Sequence, residues 1–244
     1  MTTKKNWMVR AIVLMLALVL ITSCFVGGTF AKYVTSGSGT DTARVAKFGV
    51  TVGVEDNTMF KTEYATDDDN AKAKIAYSVV TDPNGDQKKL VAPGTKEDGT
   101  LTFSVTGKPE VAVNVNLVLD VQSDVFLKAG TYKDYTNTAE NFTLAEEYTP
   151  VVFTLKKGET VVEEGTLAVI AEKLKELSGD CEANTDLNDK FGTYTLSWAW
   201  AFDGNDQADT LLGNLAAGTA EGIDKGNYST DIDFTFTATV TQID

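Results

Sequence analysis

The sequence predicts an all-β protein, an antiparallel two-sheet β-sandwich with one or two short helices in its connections and a signal-peptide helix ahead of it. Three observations carry this expectation. Apolar residues alternate with polar ones along several stretches, which is the period of a strand with one buried face. Turn-forming clusters such as Asp82-Pro83-Asn84-Gly85-Asp86 and Gly107-Lys108-Pro109 separate those stretches. Only Thr166–Leu177 clearly changes to a three-to-four-residue period, the mark of an amphipathic helix.

The chain opens on an export pattern. Met1–Arg10 carries Lys4, Lys5 and Arg10 and no acid, and Ala11–Ile21 is unbroken apolar sequence. A basic start, roughly 7–15 apolar residues and a small-residue exit define a secretory signal peptide. The run is shorter than the about 20 apolar residues that span a bilayer. Counted on through Val26 it reaches a marginal span, so a retained anchor is the alternative. Gly27-Gly28 breaks the apolar helix. Thr29 and Ala31 then supply the small residues before a cut between Ala31 and Lys32. Ile21-Thr22-Ser23-Cys24 also fits a bacterial lipobox, in which Cys24 would be lipidated and become the first mature residue. Without lipidation Cys24 is one more small apolar residue of the run.

The run GGTFAKYVTSGSGTDTARVAKFGV, residues 27–50, resembles the opening segment of the camelysin/TasA-like proteins exported by Gram-positive bacteria. There an apolar stretch ends in a small residue, an aromatic follows, and a polar spacer leads into the first strand. Ala31, Tyr33 and Val45–Val54 take those places here. The wording APGT and TFSVTGKPEVAV, at 92–95 and 102–113, is similar to relatives of that family too. The resemblance implies a jelly-roll form of the sandwich and a cut after Ala31 by a dedicated signal peptidase of the endoplasmic-reticulum type. It also implies a place in the extracellular matrix or on the cell surface, as a biofilm fibre subunit or accessory. Residues 1–31 are then the signal peptide, 32–44 a flexible segment or donor strand, and 45–244 one sandwich domain. The donor residues implied are Lys32, Tyr33, Val34 and Thr35. They would add a strand to an open sheet edge on a neighbouring subunit, held by main-chain hydrogen bonds. Partners are other copies or related matrix subunits.

Composition prunes the alternatives. The chain has 21 Lys and Arg against 35 Asp and Glu, and cleavage after Ala31 removes three basic residues, leaving 18 − 35 = −17. That excess opposes nucleic acid and anionic lipid, both of which want basic surface. Membrane contact is left to an uncleaved signal segment or a lipid anchor. No histidine occurs anywhere. Zinc sites of the HExxH type, Ser-His-Asp triads and Cys-His dyads are therefore excluded as normally built. The peptidase activity associated with camelysin is not transferred to this chain, and it is expected not to be an enzyme. Acids are abundant enough for a glycosidase pair, but nothing in the sequence selects two of them. Cleavage leaves Cys181 as the one cysteine, in the polar stretch Ser178–Lys190, where a surface position is expected.

Val45–Val54 reads as the first strand, with Ala46, Phe48, Val50, Val52 and Val54 on one face. Glu55–Lys74, with Asp67–Asp69, reads as a polar loop. Ile75–Thr81 and Gln87–Val91 flank a turn. Thr100–Thr106 turns Leu101, Phe103 and Val105 inward, and the longest strand carries Val111, Val113, Val115, Leu117, Leu119 and Val121 on one face. Asp134–Thr149 reads as a polar excursion. Val151–Leu155 and Thr160–Glu163 form a hairpin about Lys156–Glu159. Tyr194, Leu196, Trp198, Trp200 and Phe202 alternate onto one face; such rows are more often core than a sugar-stacking platform. One helical turn is expected near Ala208–Leu215. Ile232–Ile243 closes the chain as a strand, and both ends are expected to pair within the sheets.

Asp203, Asn205, Asp206 and Asp209 come closest to a metal motif, as hard oxygens at the close spacing calcium uses. The loop lacks the glycine and the final acid of an EF-hand, and a solvated turn is the competing account. Calcium is the one cofactor the sequence suggests. The competing function is a secreted or surface-anchored module that binds a glycan or a protein, and exposed Trp198 or Trp200 would favour it.

Overall fold

The computed structural model describes residues 34–37, 43–45, 49–55, 59–60, 63–66, 75–77, 79–81, 87–137 and 140–243. These residues build two main antiparallel sheets. In the larger, the order is Thr160–Gly165, Val151–Lys157, Gly192–Trp200, Thr95–Gly107, Val50–Val54 and Ala43–Val45, with Glu63–Thr66 and Ile75–Tyr77 joined beside Thr95–Gly107. In the smaller, Val34–Gly37, Asp233–Gln242, Val113–Ser123 and Gly179–Cys181 lie side by side. Three two-stranded ladders complete the described pairing: Phe126–Leu127 with Tyr228–Ser229, Gly130–Lys133 with Asn141–Leu144, and Val79–Thr81 with Gln87–Lys89.

Alternation fixes which way each strand faces, because successive side chains point to opposite sides. Val113, Val115, Leu117 and Leu119 are buried on one face of the central strand, and Phe234, Phe236, Ala238 and Val240 are buried on the C-terminal strand. Leu101, Phe103 and Val105 do the same in the larger sheet, as does the row Tyr194, Leu196, Trp198 and Trp200. Both sets belong to one apolar cluster. Rings of the two sheets touch: the Phe103 and Phe236 centroids are 4.4 Å apart. Phe103 also stacks on Tyr194 at 5.2 Å. Phe60 reaches Trp198 at 5.7 Å and Phe234 at 6.4 Å. Aromatic contacts of this kind add about 0.5–1.5 kcal/mol beyond the area they bury.

Several elements depart from expectation. Val45–Val54 is two strands rather than one. Gly49 has φ +58° and sits in a turn, and Ala43–Val45 folds back on Val50–Val54 with Val45 opposite Val50. Ala46 and Phe48 lie outside the described residues. Val50, Val52 and Val54 are buried as the alternation requires. The same corner fixes Gly107: it has φ +114°, and a Cβ there would meet the carbonyl oxygen of Gly49 at 1.7 Å. Only glycine allows so close a backbone approach.

The acidic stretch 55–74 contains a strand, Glu63–Thr66, which pairs with Ile75–Tyr77 and with Thr95 and Lys96. The excursion 134–149 contains another, Asn141–Leu144, whose Phe142 and Leu144 are buried. The hairpin after Val151 is as expected, with Lys157 opposite Thr160 and Gly158 at φ +58°.

Helix Leu167–Leu177 buries Leu167, Ile170 and Leu174, and the Thr166 hydroxyl accepts from the Val169 amide. It stops at Ser178, whose hydroxyl donates to the Leu174 carbonyl at 2.9 Å, one residue before Gly179. A four-residue helix, Leu187–Lys190, follows. Near the end, the single turn expected is an eleven-residue helix, Asp206–Ala216, that buries Ala208, Leu211, Leu212 and Leu215.

Candidate functional site

The edge beside the C-terminal strand is the first region of interest. Val34 pairs with Thr241, Thr35 with Val240, Ser36 with Thr239 and Gly37 with Ala238, so the two ends of the described chain are neighbours in the smaller sheet. Of the expected donor residues, Val34 and Thr35 are thus paired within their own chain. Lys32 and Tyr33 lie outside the described residues, as do the Ala31–Lys32 junction and Cys24. Among the described residues no helix is long and apolar enough to cross a membrane.

The acidic loop is organised as a helix start. The Asn205 side chain accepts from the Ala208 amide at 3.1 Å, capping Asp206–Ala216. Asp203 and Asp206 are exposed, while Asp209 is buried. One Asp209 oxygen accepts from the Tyr148 hydroxyl at 2.7 Å and from the Trp200 indole at 3.3 Å. Burial pushes the Asp209 carboxyl above its ordinary range, against those two hydrogen bonds. Tyr148 is pushed up as well, by burial first and then by its bond to Asp209. Two of the four expected calcium ligands are therefore engaged by the fold itself. Among the described residues no group of three acids or cysteines gathers to hold an ion.

A second carboxylate ties a neighbouring turn to the same helix. Asp134 accepts from the Thr136 amide and hydroxyl, both at 2.7 Å, from the Asn137 amide at 3.1 Å, and from the Gln207 side chain. The Thr136 hydroxyl chiefly, with the other donors, holds its carboxyl down at about 2. Neither Asp134 nor Tyr148 carries a sequence signal; both stand in what reads as polar excursion.

Helix Asp206–Ala216 also forms one wall of a cleft of about 610 Å³. Leu212 and Gly213 face it from the helix, Phe60, Val125, Trp200 and Ile232 supply apolar surface, and Lys89 and Asp231 bring opposite charges to it. Its size lies within the roughly 300–1,000 Å³ of ordinary ligand pockets. Sequence periodicity could not find it, because its residues come from six separate segments.

Trp198 and Trp200 are 2% and 5% exposed, so both are core residues. The Trp198 indole donates to the Met59 carbonyl at 3.0 Å. Phe202, past the strand end, is 58% exposed. Cys181 is buried, contrary to its polar neighbourhood: Gly179–Cys181 pairs with Val113–Val115, and this draws the thiol into the cluster. The Lys190 ammonium lies 3.3 Å from its sulfur.

Comparison with protein-family models, with curated proteins and with solved structures finds no match to this chain. Fold and sites alone define the class: an antiparallel all-β protein whose first described strand closes the sheet edge beside its last.

Proposed function

We propose that this chain is an exported structural protein of a Gram-positive cell surface or extracellular matrix, and that copies join by exchanging their N-terminal strands. Its two sheets are the layers of a jelly-roll-like sandwich, and the mature protein begins at Lys32 after the signal peptidase has acted. It has no catalytic role. The observation that carries this function is the pairing of Val34–Gly37 with Ala238–Thr241 at a sheet edge. A strand that fits this edge in its own chain fits the identical edge of another copy, with the same main-chain hydrogen bonds. The residues that follow it in the sequence, Ser38-Gly39-Thr40, have the composition of a flexible connection. The buried tryptophans weigh against the glycan-binding alternative.

The test compares mature protein with two variants, one lacking residues Lys32–Gly37 and one with Val34→Pro. Proline removes a ladder donor from a paired strand. Electron microscopy and light scattering are expected to show fibres for the mature protein and none for the variants, with circular dichroism confirming that both still fold. Equal fibre formation by all three would rule out strand exchange. Absence of assembly by the mature protein under every condition would overturn the structural role itself.

A further inference from the structure

The cleft beside helix Asp206–Ala216 is lined by apolar and polar groups together, with charges at its rim. Leu90 lines it and is 42% exposed. Phe202, two residues beyond Trp200 in the cleft wall, is the most exposed of the large hydrophobic residues described, and it lies against Gly94 on the loop that continues from Leu90. Single exposed apolar residues are ordinary on a protein surface. One of them lining a cleft, with a second beside its wall, is the composition of an interaction surface.

The charges say what kind of partner fits. Lys89 and Asp231 both line the cleft, and among the described residues neither has an ion-pair partner. A two-fold interface sets residue i of one copy against residue j of the other, and j against i. A cation and an anion on one rim are therefore complementary to a second copy of that rim. Leu90 stands in the cleft's own lining, so a rotation that pairs the two rims also brings the exposed Leu90 side chains toward the partner's cleft. Elsewhere the surface is strongly acidic and repels its own copy, with 35 acids against 21 bases over the whole chain. A cation and an anion on this rim offset that repulsion locally.

We infer that this cleft is the docking surface for a second copy of the chain, forming a two-fold dimer through Leu90 and Phe202 with Lys89 opposite Asp231. This contact is separate from strand exchange: it uses neither the N-terminal strand nor the sheet edge.

The test is sedimentation velocity over a concentration series, on protein purified from a host that expresses the whole chain. A dimer whose fraction rises with concentration is expected. Leu90→Glu and Phe202→Glu, both at exposed positions, are expected to weaken it at least about tenfold. Lys89→Glu and Asp231→Lys are each expected to weaken it by about threefold or more, and the two together to restore it, as an exchanged charge pair should. The Val34→Pro variant, which blocks strand exchange, is expected to dimerise like the unaltered chain. Failure of fibres with dimers intact thus counts against strand exchange alone. A single monomeric species up to about 1 mM would overturn the inference, as would a dimer indifferent to Leu90→Glu. If that monomer instead binds decanoate with a change in tryptophan fluorescence that Leu90→Glu abolishes, the cleft holds a small amphipathic ligand and not a second copy.

Discussion

Asp134 shows how much one carboxylate organises when every donor around it is already in place. Its oxygens accept hydrogen bonds from Thr136, Asn137 and Gln207, linking a turn after Gly130–Lys133 to the first turn of helix Asp206–Ala216. Folding lowers this group to about 2 from an ordinary 3.8. The native state thus prefers the ionised form, and the stability it contributes is present above the unfolded value and lost as pH falls toward 2. Asp124 and Asp209 behave oppositely: burial raises both, so ionising them opposes folding and that penalty fades as pH drops. Urea unfolding of the protein and of Asp134→Asn between pH 3 and 7 distinguishes them. The gap between the two is expected to be constant from pH 5 to 7 and to narrow as pH falls below 4. A gap that widened in acid would contradict the assignment. Nothing in the sequence singles out Asp134 among its many acidic neighbours, because its importance lies in donors that only folding gathers.

Elements were legible where a period ran long enough to be counted. Val113–Ser123, Gly192–Trp200 and Asp233–Gln242 follow their alternation, and helix Leu167–Leu177 follows its stripe. Short strands inside acidic sequence were not, since Glu63–Thr66 and Asn141–Leu144 have four residues each and owe their form to a partner strand. Asp206–Ala216 was half legible: its buried set Ala208, Leu211, Leu212 and Leu215 has helical spacing, but Gly213 and Asn214 interrupt the run with poor helix formers. Helix Leu167–Leu177 gives the clearest energetic contrast. Leu174 is 1% exposed in the core face, whereas Val169 is 42% exposed on the far side. Leu174→Ala is expected to destabilise the protein by about 2–5 kcal/mol, through lost apolar transfer and the cavity left behind. Val169→Ala is expected to stay within about 0.5 kcal/mol, since surface changes away from special contacts do little. Denaturant midpoints measured on both variants check the pair, and similar losses would mean the helix is not docked by that face.

At the scale of the whole molecule, the deciding quantities for the proposed assembly are one sheet edge and a large negative charge. Strand pairing within a chain and between chains makes the same main-chain hydrogen bonds, so the balance turns on concentration. A tethered strand competes at an effective concentration of the order of millimolar. At lower protein concentration the pairing of Val34–Gly37 with its own chain prevails, and assembly through the proposed exchange has to begin from rare open copies. Charge adds a second barrier. With cleavage after Ala31 each subunit carries 18 − 35 = −17, and bringing two together is opposed at long range. The screening length shrinks from about 30 Å at 0.01 M salt to about 10 Å at 0.1 M, while main-chain hydrogen bonds between paired strands respond little. Fibre growth is therefore expected to speed up as sodium chloride rises from 0.01 to about 0.3 M, and to lose its lag when preformed fibres are added. Light scattering followed in time, at fixed protein concentration with and without such seeds, measures both effects. Growth that slowed with added salt would show that attraction between opposite charges drives assembly, and would remove strand exchange from its leading place.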